Sequence, residues 1–197
     1  TTGVPPERTL WPWQRRSYME RVWRRQEEAL GASRPLGFEI VGFRDTAARR
    51  LRFDLDAAAS DIAAAIARCG AEAVWVPAFE GAHQDHDAAN ALAASVVGEV
   101  PVWEFAAYNF AGGRVRSNGF AEECGGEIAI SGTAAETERK RAALAFYVSE
   151  RHNLRHIVAD REACRPLPTH RYDTPPHRGR LFRERFHWVP FRHPGVD

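Results

Sequence analysis

The stretch from Val74 to Asp87 restricts the possible folds more than any other part of the chain. Val74-Trp75-Val76 is a short β-branched and aromatic run that stops at Pro77 and opens into small residues. A helical pattern follows at once, with Asp87 as its N-cap and Ala88, Ala89, Leu92, Ala93 and Val96 behind it. Strand, polar loop and helix in succession is how open α/β sheets place chemistry at the carboxyl ends of their strands.

The preceding segment supports the same class. Ala59, Ile62, Ile66 and Cys69 recur at spacings of three and four, so Asp56–Cys69 reads as a helix closed by Gly70 at C′. Phe38 to Phe43 reads as a strand before it, and Val74–Val76 as a strand after it. Strand, helix and strand with short links imply a right-handed crossover and a parallel sheet.

Elsewhere, residues 1–13 form a proline-rich loop with Trp11 and Trp13, and a helix runs from about Gln14 to Leu30, with Gly31 as its stop. Its arginines and glutamates read as a solvated face. Gly98 ends the helix that follows Asp87, and a strand spans Val102–Ala106. Residues 107–126 are glycine-rich, with Tyr108, Asn109, Phe110 and Asn118; they fit either a sugar-lining loop or a mobile excursion. Glu127–Ser131 is an edge strand. Thr133-Ala-Ala-Glu136 is a capping box opening a helix to about Arg151.

Composition removes several classes. The length of 197 residues suits one domain, and 44% hydrophobic with 27% charged residues is ordinary for a globular chain. A formal net charge of +1 leaves no electrostatic footprint for nucleic acid or an anionic membrane. No apolar run reaches 18 residues, so no membrane span is expected. Cys69, Cys124 and Cys164 are odd in number and far apart, which suits reduced, partly buried thiols in a cytoplasmic protein.

The chemistry is concentrated in His83-Gln84-Asp85-His86-Asp87. Neutral imidazole is the commonest zinc ligand, and a neighbouring carboxylate either ligates or orients the ring. The same residues also suit a solvated loop whose aspartates complement a helix dipole. Spacing alone leaves both readings open. Asp45, after the Phe38–Phe43 run, suits a turn aspartate better than a substrate contact. His170, Tyr172, His177, His187 and His193 fall among the prolines and aromatics of the last 30 residues.

Glu80-Gly-Ala-His83-Gln-Asp85-His86-Asp-Ala-Ala-Asn90 resembles a signature of the LmbE-like, or PIG-L, zinc-dependent de-N-acetylases, which reads His-Pro-Asp-His. Further resemblances follow in order. Thr1-Thr2-Gly3 resembles the family's Thr-Asp-Gly turn, Tyr147-Val-Ser149-Glu150 its Tyr-x-Ser-Gln, and Glu162-Ala-Cys-Arg165 its Glu-x-Phe-Arg. Pro175-Pro176-His177 looks like the tail of a subset of the family; a histidine there suits exposure or a bond to a backbone carbonyl better than a reach into the active site.

The resemblance implies a Rossmann-like three-layer sandwich with a mostly parallel sheet. It implies His86 as a ligand of Zn2+ or another divalent metal, His83 as the group stabilising the oxyanion, and Asp85 as their support. Its substrate would be an amino sugar or its conjugate, losing an N-acetyl group. A homo-oligomer is compatible with the chain, whose sequence does not specify an oligomeric state. The family's Ala-His-Pro-Asp-Asp-Glu segment, which carries further ligands and the general base, is not in this chain. The N-terminal strands are therefore expected in a segment outside the sequence; a truncated form would leave apolar sheet edges bare. Two alternatives remain: a catalytically silent sugar- or partner-binding domain, and a hydrolase using His83, Asp85, His86 and a tail histidine together.

Overall fold

The computed structural model describes residues 1–96, 98 and 100–186. Its helices are α1 (Pro12–Arg15), α2 (Tyr18–Leu36), α3 (Leu55–Cys69), α4 (Gln84–Val96), α5 (Ala134–Phe146) and α6 (Arg151–Leu154). Its strands are β1 (Val74–Pro77), β2 (Val102–Phe105), β3 (Tyr108–Asn109), β4 (Arg116–Ser117), β5 (Ile128–Ser131) and β6 (Arg161–Pro166). The class is mixed α/β, and no helix among the described residues is long and apolar enough to cross a membrane.

The main sheet has the order β1-β2-β6-β5, and β3 pairs with β4 in a separate hairpin. Only β1 and β2 run parallel, in the register Val74 to Val102, with α4 as their crossover. The β2–β6 and β6–β5 pairs are antiparallel. The expected mostly parallel sheet is thus corrected to one parallel and two antiparallel pairings. The difference arises at β6, which carries Arg161, Glu162 and Arg165 and so hides the apolar run that marks a strand in sequence.

The Phe38–Phe43 segment is not a strand. A strand needs a neighbour to satisfy its amides and carbonyls, and β1 ends the sheet with no described strand beyond it. Phe38, Val41 and Phe43 are exposed, as is Trp75 on β1, where it stacks on Trp103 at 5.4 Å.

Glycine explains a second difference. Gly31 does not stop α2, which continues to Leu36 and closes at Gly37 in the left-handed region with φ 73°. A Cβ on Gly31 would lie 2.3 Å from the Phe146 ring. Gly31 therefore lets α2 and α5 approach, and the two helices pack along each other. Glu28 reinforces the contact by accepting the Ser149 amide at 2.8 Å and the Ser149 hydroxyl.

The Thr133–Glu136 capping box forms as expected, while α5 ends at Phe146 and a 3-10 turn leads into α6. The expected helix through Arg151 is broken at Tyr147, whose ψ of 61° is not helical. α3 and its Gly70 cap match the sequence reading. Helix α3 packs on α4, burying Leu51, Ala58, Ala88 and Leu92 together. Val76 and Ala93 join α4 to β1. A third cluster, Ala78, Ala106, Phe120 and Ala163, lies at the ends of β1, β2 and β6. The three cysteines are free, with Cys164 buried but Cys69 and Cys124 exposed.

Candidate functional site

Helix α4 starts earlier than Asp87. The His83 carbonyl accepts the amides of His86 at 2.9 Å and Asp87 at 3.2 Å, so His83 occupies the N-cap and His86 lies in the first turn. That turn brings together two side chains which an extended loop would send opposite ways. The His83 and His86 ring centroids are 5.2 Å apart, beyond the carboxyl end of β1. Tyr108, from β3, meets the His86 ring edge-on at 5.8 Å.

Asp85 acts on the backbone. Its carboxylate accepts the amides of Arg49 at 2.8 Å and Leu51 at 3.1 Å, and lies 4.0 Å from His83 Nδ1. The Asp85 amide, not its carboxylate, meets that ring, donating to His83 Nδ1 at 3.2 Å. A nitrogen that accepts carries no proton, so neutral His83 keeps its proton on Nε2 and presents a donor there. Arg49 sits in the left-handed region with φ 69°, strained for a residue with a Cβ, and the Asp85 bond holds it there.

Asp87 reaches back instead of capping forward. Its Oδ1 accepts the Glu80 and Gly81 amides at 3.2 and 3.1 Å, and Arg183 donates to Oδ2 at 2.7 Å. Gly81 has a φ of 65°, and a Cβ there would strike Leu181 at 2.7 Å, so the tail closes over the loop.

Burial keeps the imidazoles neutral. It lowers His83 to a pKa of about 4, with the Arg49 charge adding to the effect. His86 falls to about 3, by burial and then by the proximity of His83. Glu80 moves the other way, to about 7, because it is buried, although the Asn109 amide at 2.9 Å and the Ala107 amide at 3.0 Å favour its charge.

Neutral imidazole is the right donor chemistry for zinc. Among the described residues the His86 ring has no hydrogen-bond partner, so its lone pair is available. His83 fits a hydrogen-bond donor better than a ligand, since ligation through Nε2 would move its proton to Nδ1 against the Asp85 amide. No group of three His, Cys, Asp or Glu side chains is placed to hold a metal among the described residues. The chain thus offers one fitting ligand and one fitting donor, short of the three protein ligands usual at catalytic zinc.

The tail histidines are placed elsewhere. His170 bonds the fully buried Glu104 at 2.8 Å, beside the Arg165 and Asn90 bonds to the same carboxylate. Burial raises the pKa of Glu104, but its hydrogen bonds to His170 and Asn90 reverse that and leave it below its ordinary value. His177 is buried, its Nδ1 donates to the Arg178 carbonyl at 2.9 Å, and its Nε2 has no partner. His187 and His193 lie outside the described residues. Asp45 is exposed in an open acidic cleft with Asp54 and Asp61 around Arg44.

Residues 107–126 are tied down at several points. Asn109 bonds Glu80 and the Gly119 carbonyl, and Asn118 bonds Glu162 and the Arg161 carbonyl. Tyr108 alone of the named loop residues faces the histidine pair. Sequence reasoning missed two supporting parts, Arg49 and Glu104, which meet their partners, Asp85 and Arg165, from far along the chain. Glu80 and Arg165 were legible only as residues of the resemblances quoted above.

The chain matches no family model, no curated protein and no solved structure.

Proposed function

We propose that this protein is a metal-dependent hydrolase that removes an N-acetyl group from an amino sugar or its conjugate, on a Rossmann-like scaffold. The observation that carries the reading is the His83–His86 pair at the carboxyl end of β1, two imidazoles 5.2 Å apart and both held neutral. The substrate class rests on the family resemblance of residues 80–90.

His86 would supply one ligand; a catalytic zinc needs further donors and a general base, which the described residues do not group around it. Zinc, when bound, offers a Lewis acid and a water whose pKa is near 7. His83 donates from Nε2 to the oxygen that becomes negative as the amide carbon turns tetrahedral. Asp85 fixes both the His83 tautomer, through its amide, and the Arg49–Leu51 loop, through its carboxylate. Tyr108 and the tail around Leu181 wall the site against water.

Metal analysis of the purified protein tests this. Near-stoichiometric zinc that falls on His86→Ala, with hydrolysis of an N-acetylglucosaminide by the wild type, supports the hydrolase. A well-folded protein that takes up no zinc replaces it with a silent sugar- or partner-binding domain. Zinc lost equally on His83→Ala and on His177→Ala favours the ligand set that includes a tail histidine.

A further inference from the structure

A second cleft, besides the acidic one around Arg44, lies outside the histidine site. It has a volume of about 180 Å³ and is lined by the Gly3–Pro5 turn, Leu10, the α2 arginines Arg21, Arg24 and Arg25, and the Ser149–Glu150 segment. We propose that this cleft binds a phosphoryl group.

The charge arrangement argues for an anion. Arg21, Arg24 and Arg25 follow the three-and-four spacing that puts side chains on one helix face. Two carboxylates approach them, and both are already engaged. Glu28 takes the amide and hydroxyl of Ser149, and Glu150 takes Arg25 and the Asn153 amide. Arg25 is thereby committed to Glu150, with Glu28 at 3.7 Å. Arg21 and Arg24 have no acceptor among the described residues, and the Nε of Arg21 is sealed from solvent without a partner.

Two uncommitted guanidiniums at the rim of a small cavity match a tetrahedral oxyanion, because the planar fork of arginine pairs with phosphate oxygens two at a time. The cavity has room for one such group with its waters and not for a nucleotide. The floor is preformed. A Cβ on Gly3 would lie 3.3 Å from the Arg25 Cβ, so the turn closes on the helix only because it is glycine, with φ 71°. The turn is pinned in turn by the Thr2 amide on the Thr46 carbonyl and the Ala48 amide on the Val4 carbonyl, both at 2.9 Å.

The probes are inorganic phosphate and a hexose phosphate, titrated into the intact protein at low salt by calorimetry, with circular dichroism on every variant. Saturable phosphate binding in the wild type is expected, weakened about tenfold or more by Arg21→Gln and by Arg24→Gln, and less by Arg21→Lys. Arg141→Gln, on an exposed arginine of α5, should leave binding unchanged. A hexose phosphate that binds tighter than inorganic phosphate assigns the group to a phosphorylated metabolite, and equal affinities assign it to free phosphate. Absence of saturation at about 10 mM phosphate overturns the proposal, as does an Arg141→Gln effect as large as that of Arg21→Gln. The assay needs neither metal nor turnover, so its failure leaves the hydrolase reading standing.

Discussion

The Nδ1 of His83 accepts the backbone amide of Asp85, two residues along, at 3.2 Å. That bond selects the tautomer and so makes the ring a donor while it is neutral. Replacing His83 by Ala is expected to lower turnover by roughly 10²–10³-fold, the usual cost of removing one oxyanion donor, with bound zinc unchanged. Steady-state kinetics beside metal analysis of the same samples decides it. Loss of zinc in parallel would exchange the roles of His83 and His86.

Asp85→Asn should destabilise the fold by about 1–3 kcal/mol. Both carboxylate oxygens accept amides from the Arg49–Leu51 loop, and an asparagine has only one oxygen to offer. The amide that lost its acceptor would be stranded, and Arg49 would be freed from its left-handed conformation. Urea unfolding measures the loss. A midpoint equal to that of the wild type would contradict the hydrogen bonds described.

The histidine pair sets a pH dependence for the metal-free protein. Unfolded, both rings protonate near 6.5; folded, His83 waits until about 4 and His86 until about 3. Between these values the unfolded chain holds more protons, so stability rises with pH and is lost on acidification from 6.5 downwards. Each ring contributes at most about 1.4 kcal/mol per pH unit. Glu80, raised to about 7, acts with the opposite sign between its ordinary 4.5 and 7. A His83→Gln, His86→Gln double variant should therefore lose the rise: between pH 4.5 and 6.5 the wild type gains stability with pH in thermal melts, whereas the variant, left with Glu80, declines. Parallel curves would show that the rings are not withheld from protons.

Gly31→Ala should be destabilising by about 1–3 kcal/mol despite its better helix propensity, since the added methyl meets the Phe146 ring at 2.3 Å. Gly37→Ala meets nothing but is strained by its φ of 73°. If Phe146→Leu, which opens space, rescues Gly31→Ala, the helix contact is confirmed as the cause.

The outer edge of β1 is predicted to make the protein associate at high concentration. Its amides and carbonyls face no described strand, and Trp75, on β1 itself, is exposed. Trp75→Lys should lower the average mass in sedimentation velocity. An unchanged distribution would place association elsewhere.

Much of this fold was legible where one segment carried its own reason. Ala59, Ile62, Ile66 and Cys69 share a face of α3, Gly70 ends it, and Thr133 with Glu136 caps α5. Other features depended on partners distant in sequence. β6 reads as polar because Arg165 is neutralised by Glu104, 61 residues earlier, through a 2.6 Å bond. Gly31 looks like a stop until Phe146 is brought against it. In the site, the adjacency of His83 and His86 was legible as a possibility that depended on a turn, and the first turn of α4 provides it. The role of the Asp85 carboxylate was not legible, because its acceptor duty is to residues 49 and 51 and not to the motif.

The interior of this protein is largely methyl groups: Ala58, Ala78, Ala82, Ala88, Ala93, Ala106, Ala143 and Ala163 are all buried. Such an interior has little side chain to lose. Trimming any one to glycine removes a single carbon, whereas growth to valine or leucine has nowhere to go in a matrix packed as densely as a crystal. Tolerance to substitution should therefore be lopsided, with the main chains themselves, drawn close around alanine, setting the upper limit on size.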